Sequence, residues 1–181
     1  FKNINLFIGG SATNDGAIGI AHALGYRFYD TLGNLLSPIG KNLIKIDAID
    51  SRRVISNLKN LNIEVFCDVN NPMYGSEGAS FIYAAQKGAT QSQVKLLDEG
   101  LKNLVAKLTE NDYKKISDIP GSGAAGGVGG GSIAFLDAKL VSGIDKIIRV
   151  VQLEKLINNC DLIITGEGKL DSQTIKGKVI S

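Results

Sequence analysis

Three short polar stretches carry the residue types most able to bind and move charged groups. The first is Gly9-Gly10-Ser11-Ala12-Thr13-Asn14-Asp15-Gly16. Gly9 and Gly10 let backbone N–H groups approach an anion, and Ser11, Thr13 and Asn14 add short donors. Asp15 is awkward beside a phosphate unless a metal or a hydroxyl lies between them. Its competing role, shared with Asn14, is to cap the helix that follows. The second stretch is Cys67-Asp68-Val69-Asn70-Asn71-Pro72, where Asp68 ends an apolar run. A carboxylate at that place either holds Mg²⁺ or orients a hydroxyl, or it bonds its own backbone and starts a turn. The third is Gly166-Glu167-Gly168-Lys169-Leu170-Asp171. It sets Glu, Lys and Asp in a glycine-framed turn, suited to Mg²⁺ and phosphate charge or, equally, to a solvated turn.

Other patterns exclude more than they suggest. Gly121-x-Gly123-x-x-Gly126 fits a dinucleotide fingerprint literally, but Lys114–Pro120 before it is polar and supplies no strand. A nicotinamide or flavin site is therefore not expected. Seven glycines between Gly121 and Gly131 leave two readings, a loop that approaches a ligand or a helix packed tightly on a neighbour. No GxxxxGK[ST] occurs, so no Walker loop is encoded. His22, the single histidine, reads as a surface or packing residue. Cys67 and Cys160 form no CxxC, which argues against zinc, and reduced thiols suit a cytoplasmic protein.

The elements that position these stretches follow from hydrophobic spacing. Ile4–Ile8 reads as a strand that runs into the first polar loop, with a helix over Ala17–Leu24 stopped by Gly25. Tyr26–Tyr29 suggests a strand and Ser51–Asn60 a helix, while residues 35–49 show no clear pattern. Ile63–Val69 alternates as a buried strand ending at Asp68. Thr90-Gln91-Ser92-Gln93 is a capping box opening a helix whose apolar positions run from Val94 to Leu108. Ser132–Ala138 and Val151–Asn158 read as helical, and Asp161–Thr165 as a strand leading into the third polar stretch. Alternating strands and helices predict an α/β fold with a largely parallel or mixed sheet flanked by helices.

Composition bounds the partners. The 181 residues are 44% hydrophobic and 21% charged, a globular balance. Twenty basic against eighteen acidic side chains give a formal charge of +2 without a basic stripe, so no nucleic-acid partner is expected. No apolar run reaches the ~18 residues of a membrane span. The chain opens at Phe1 rather than Met and stops at Ser181, in the Gly/Lys-rich stretch that contains Lys176-Gly177-Lys178, and so reads as part of something longer.

Five stretches together resemble bacterial glycerate kinases of the type I class. They are Ile8–Gly16, Cys67–Gly75, Gln86-Lys87-Gly88-Ala89, Pro120–Gly127 and Thr165–Gln173, in that order, and the resemblance covers essentially the whole chain. Ala17 stands where that family commonly has a third glycine, and Ser76 where a Pro or His occurs. The resemblance implies an ATP- and Mg²⁺-dependent kinase that phosphorylates D-glycerate, built on two α/β domains with the site between them. It also implies members about twice this length, with two further segments absent from this sequence. The 181 residues would then be a central fragment, mostly one domain, and inactive alone. On this resemblance Asp68 and Asp15 are candidate catalytic residues. Gly9, Gly10, Ser11, Thr13, Asn14 and Lys169 would bind substrate or phosphate, and Glu167 and Asp171 would serve the metal. The alternative is a non-catalytic small-anion-binding or structural domain. The oligomeric state is not encoded in any of these features.

Overall fold

Strand β1, Asn3–Phe7, lies parallel to a strand in which Ile63, Val65 and Phe66 are buried. The computed structural model of the chain describes residues 1–111, 113, 116, 117, 119–158, 160–164 and 166. After β1 come helix α1 (Ile18–Ala23), β2 (Arg27–Tyr29), a 3₁₀ turn at Gly40–Lys45, and β3 (Ala48–Asp50). A second 3₁₀ turn, Ser56–Asn60, leads to β4 (Asn62–Phe66). Helices α2 (Ala79–Tyr83), α3 (Gln91–Glu110) and α4 (Ala124–Leu136) follow. The described elements close with β5 (Lys139–Val141), α5 (Gly143–Val150) and α6 (Leu153–Ile157).

The fold is α/β, with a parallel sheet in the order β1-β4-β5 and a separate antiparallel pair, β2-β3. Phe7 registers with Phe66, and Phe66 with Val141, so three strands finish side by side. Ile63 and Val65 of β4 face the core, whereas β1, at the edge, is exposed along most of its length. Core packing centres on Phe135, which meets Phe28, Tyr26 and Tyr113 edge-on at centroid distances of 5.0–6.0 Å. Burial and the neighbouring Tyr113 push the Tyr26 hydroxyl up to about 12.

Thr90 caps α3 as the capping box predicts. Its Oγ1 accepts from Gln93 N and Gln93 Oε1 accepts from Thr90 N, at 3.4 and 2.8 Å. The buried face of α3 carries Val94, Leu101, Leu104, Val105 and Leu108, and Gly100 admits the 3₁₀ turn at Leu43. Asn103 fastens that turn by donating to the Leu43 and Ile46 carbonyls at 2.9 Å.

Two expected elements differ. Ser51–Asn60 is not a helix: Ile55 is extended (φ −56°, ψ 130°) and donates to the Leu24 carbonyl, so only Ser56–Asn60 coils, as 3₁₀. Tertiary pairing of the Ile55 backbone outweighs the helical spacing of Val54, Ile55 and Leu58. Asp161–Ile164 is irregular rather than a strand, with Leu162, Ile163 and Ile164 all exposed. An apolar run becomes a strand only where a neighbour accepts its backbone hydrogen bonds, and no described strand does so here. Four elements escaped the pattern reading, α2, β3, β5 and α5. Each is eight residues or fewer, too short for a period to show.

Candidate active site

Because β1, β4 and β5 are parallel and in register, their carboxyl ends deliver Ile8-Gly9-Gly10, Cys67-Asp68 and Ser142-Gly143 to one edge of the sheet. Ligands of α/β sheets collect at that edge. A cavity of about 520 Å³ opens there. Gly9, Gly10 and Ser11 form one wall, Cys67 and Asp68 another, and Tyr83 and Lys87 a third. Phe7 and Phe66 stack at 4.6 Å on its apolar side.

The two candidate acids occupy different positions. Asp68 lies on the cavity wall, and its Oδ1 accepts from Gly143 N at 2.8 Å, Ile144 N at 3.2 Å and Ser142 Oγ at 3.2 Å. It thus caps α5 from a distant strand, and none of these bonds falls on Oδ2. The turn role weighed for Asp68 is replaced by a cap 75 residues away in sequence. Asp15 does what an N-terminal aspartate does locally: its two oxygens accept from Ala17 N and Gly19 N, each at 3.1 Å. It caps α1 and is not on the cavity wall. Ala17 has φ +64°, a left-handed conformation that only glycine adopts freely.

The first loop divides in the same way. Gly9, Gly10 and Ser11 face the cavity. Thr13, which is exposed, and Asn14 are not on the cavity wall and anchor the loop instead. Thr13 Oγ1 reaches the Ala125 carbonyl at 3.4 Å, and Asn14 Nδ2 donates to Ser80 Oγ at 3.0 Å. Buried Asn14 Oδ1 has no hydrogen-bond partner. Donors expected to meet substrate are therefore fewer than the residue types suggested. Lys169, Glu167 and Asp171 lie outside the described residues. Among the described residues no group of three or more His, Cys, Asp or Glu side chains is arranged to hold a metal.

Three wall groups, Lys87, Tyr83 and Cys67, and Ser142 behind Asp68 were not proposed as site residues from the sequence. Lys87 Nζ donates to Ser11 Oγ at 3.1 Å and to the Thr13 carbonyl at 2.7 Å, holding the loop from across the cavity. Burial lowers its pKa, with Asp15 opposing that shift. Tyr83 donates to Asn71 Oδ1 at 2.6 Å, and desolvation raises its pKa. Cys67 sits against the Val69 carbonyl at 3.2 Å, and burial pushes its thiol up, which marks it as unreactive. Ser142 links Asp68 to α5, donating to Oδ1 and accepting from Asp145 N. Lys87 and Ser142 carry no spacing signal, because they meet the loops only through the fold.

Glycine crowding settles the Gly121–Gly131 segment. Ala125, Gly126 and Gly127 are left-handed, and the helix proper begins after them. A Cβ on Gly126 would enter the Thr13 carbonyl, and one on Gly131 the Gly16 carbonyl. Gly16 N donates to the Gly126 carbonyl at 3.0 Å, so this segment is the backing against which the first loop is set. His22, half-buried in α1, is not on the cavity wall.

The chain is 45% identical over 177 residues to a glycerate kinase of Bacillus cereus, covering 98% of this chain and 46% of that protein. It is 44% identical over 177 residues to the glycerate 2-kinase of Escherichia coli K12, with the same coverage of each. A crystal structure from Salmonella typhimurium LT2, provisionally named glycerate kinase 2, matches with a TM-score of 0.82 at 42% identity. It covers 98% of this chain and 48% of that one. The chain spans about half the length of the curated relatives it matches. The model of the glycerate kinase family matches residues 1–181, from end to end. The chain belongs to the glycerate kinase family.

Proposed function

We propose that the protein carrying this chain phosphorylates D-glycerate to phosphoglycerate with ATP, and that these residues form much of one of its two α/β domains. The observation that carries the proposal is the cavity at the carboxyl ends of β1 and β4. It sets the Gly9-Gly10-Ser11 backbone opposite the Asp68 carboxylate. Phosphoryl transfer rests on positioning and charge neutralisation, and this wall supplies both kinds of group. ATP supplies the transferred phosphoryl group when bound. Gly9 and Gly10 present N–H groups to an oxyanion with no Cβ in the way, and Ser11 adds a hydroxyl. Asp68 stays anchored through Oδ1 on α5 and offers Oδ2 to a substrate hydroxyl.

Asp15, Thr13 and Asn14 act one step back from the substrate, by holding α1 and the loop in place. From the sequence motif Gly166–Asp171 we assign Mg²⁺ to Glu167 and Asp171, with Lys169 on the phosphate side. The E. coli relative is named for the 2-position, and we carry the 2-hydroxyl over as the acceptor here. Free Cys67 and Cys160 suit a reducing cytoplasm.

A coupled assay on the full-length protein tests this. D-glycerate-dependent ADP release is expected, with phosphorus NMR of the product reporting the position phosphorylated. Ligand binding without turnover would support a non-catalytic anion-binding domain instead.

A further inference from the structure

We infer that Lys87 is a binding residue of this cavity, whose ammonium receives an oxyanion laid against the Gly9–Ser11 backbone. The inference rests on reading the cavity as the substrate site, and it adds the residue that recognises negative charge there. Three observations lead to it. First, among the described residues Lys87 is the single cationic side chain on the cavity wall. Second, no carboxylate among the described residues pairs with it. Asp15 favours its charge through space, but both Asp15 oxygens are engaged by the α1 backbone. A partly desolvated cation without a counter-charge is costly, and an anion in the cavity removes that cost. Third, an ammonium has three N–H donors. Two are used, on Ser11 Oγ and on the Thr13 carbonyl, and those bonds hold Nζ beside the loop. The remaining donor is available to a ligand next to the backbone N–H groups of Gly9 and Gly10.

The geometry thus combines a charged donor with the open, Cβ-free side of the glycine pair. A carboxylate and a phosphate oxygen satisfy the same donors, so the ligand is either the acid group of the substrate or a phosphate of the nucleotide. Lys87 also ties the loop in place, and the test must separate that tie from its charge.

The experiment is calorimetric titration of the full-length protein with D-glycerate, with a non-hydrolysable ATP analogue and with inorganic phosphate. The variants are Lys87→Met, Lys87→Arg and Ser11→Ala, each checked for a cooperative melt. Lys87→Met should weaken one of the first two ligands by roughly 10- to 100-fold, the loss of one charge-assisted hydrogen bond. The ligand affected identifies the source of the oxyanion. Lys87→Arg should recover most of the affinity, and Ser11→Ala should keep a stronger grip than Lys87→Met. On the wild-type protein, bound ligand should shield Lys87 from acetylation, read by mass spectrometry. This measurement holds even if Lys87→Met fails to fold.

Unchanged affinity in Lys87→Met, or unprotected acetylation at saturating ligand, overturns the inference. So does a loss that Lys87→Arg fails to recover while the melting temperature falls, because Lys87 is then only a tie. If glycerate is phosphorylated while Lys87 proves indifferent, the proposed function stands and this inference falls. If phosphate binds through Lys87 but neither glycerate nor the ATP analogue does, the inference stands and the proposed function falls.

Discussion

Gly9-Gly10 and Gly121–Gly131 are both glycine-rich, and the molecule uses them in opposite ways. A Cβ added at Gly9 or Gly10 would meet nothing within 4 Å. A Cβ at Gly123, Gly126, Gly129 or Gly131 would strike backbone of Pro72, Thr13, Gly121 or Gly16. In the first pair, glycine lines an open stretch of the cavity wall. In the second segment, glycine lets main chain lie directly on main chain, and helix α4 becomes the support for the loop that carries the first pair. The lesson is that glycine richness marks close approach of backbone without saying what approaches. Here it is an open cavity on one side and protein on the other, and the first loop is joined to the second segment where Gly16 donates to the Gly126 carbonyl.

The contrast can be broken from both sides. Asp68→Asn, on the open side, should have the largest effect. Turnover of the full-length protein should fall roughly 10²–10³-fold, about 2.7–4 kcal/mol of barrier, by analogy with losing one preorganised electrostatic contact. Asparagine can still accept the α5 backbone bonds, so the melt should change by less than about 1 kcal/mol. Near-normal turnover with a lowered melting temperature would reduce Asp68 to a cap. Gly131→Ala, on the closed side, should do the reverse. The new methyl meets the Gly16 carbonyl and Ala17 Cβ, which cannot swing away. Overpacking against rigid backbone should cost about 3 kcal/mol or more, read in urea denaturation. An unshifted midpoint would show that α4 and the loop can separate freely.

Gly9→Ala sharpens the comparison. Its stability should stay within about 0.5 kcal/mol of the parent, since the methyl enters open space. Oxyanion affinity should nevertheless fall, because the methyl intrudes on the face an anion would use. Unaltered affinity for D-glycerate and for the ATP analogue would move the ligand away from Gly9. The smallest effect concerns Cys67, which lies between the two regions, on the cavity wall and against Gly121. With its thiol pushed up by burial, it should be alkylated by iodoacetamide at pH 8 well after exposed Cys160. Equal labelling rates, followed by mass spectrometry, would show that the cavity wall opens readily.

The sequence by itself determined the parts of this protein that depend on local rules. The Thr90 capping box, the 3.6-residue stripe of α3 and the alternation of β4 all read correctly. Each is decided by residues within a few positions of one another. The strand-loop-helix setting of Gly9–Asp15 and the strand-end place of Asp68 were legible for the same reason. The capping role of Asp15 was legible too, because its partners lie two and four residues away. Only the tertiary structure decided how these parts are shared out. It kept Thr13 and Asn14 off the cavity wall and gave Asp68 a helix 75 residues away to cap. It also brought Lys87 across to Ser11 and left Ile55 paired with Leu24 instead of helical. The physical reason is that each of these is a contact between distant segments, fixed by the parallel register of β1, β4 and β5 and by the close seating of α4. Neither spacing nor composition encodes which donor will find which acceptor once those elements meet.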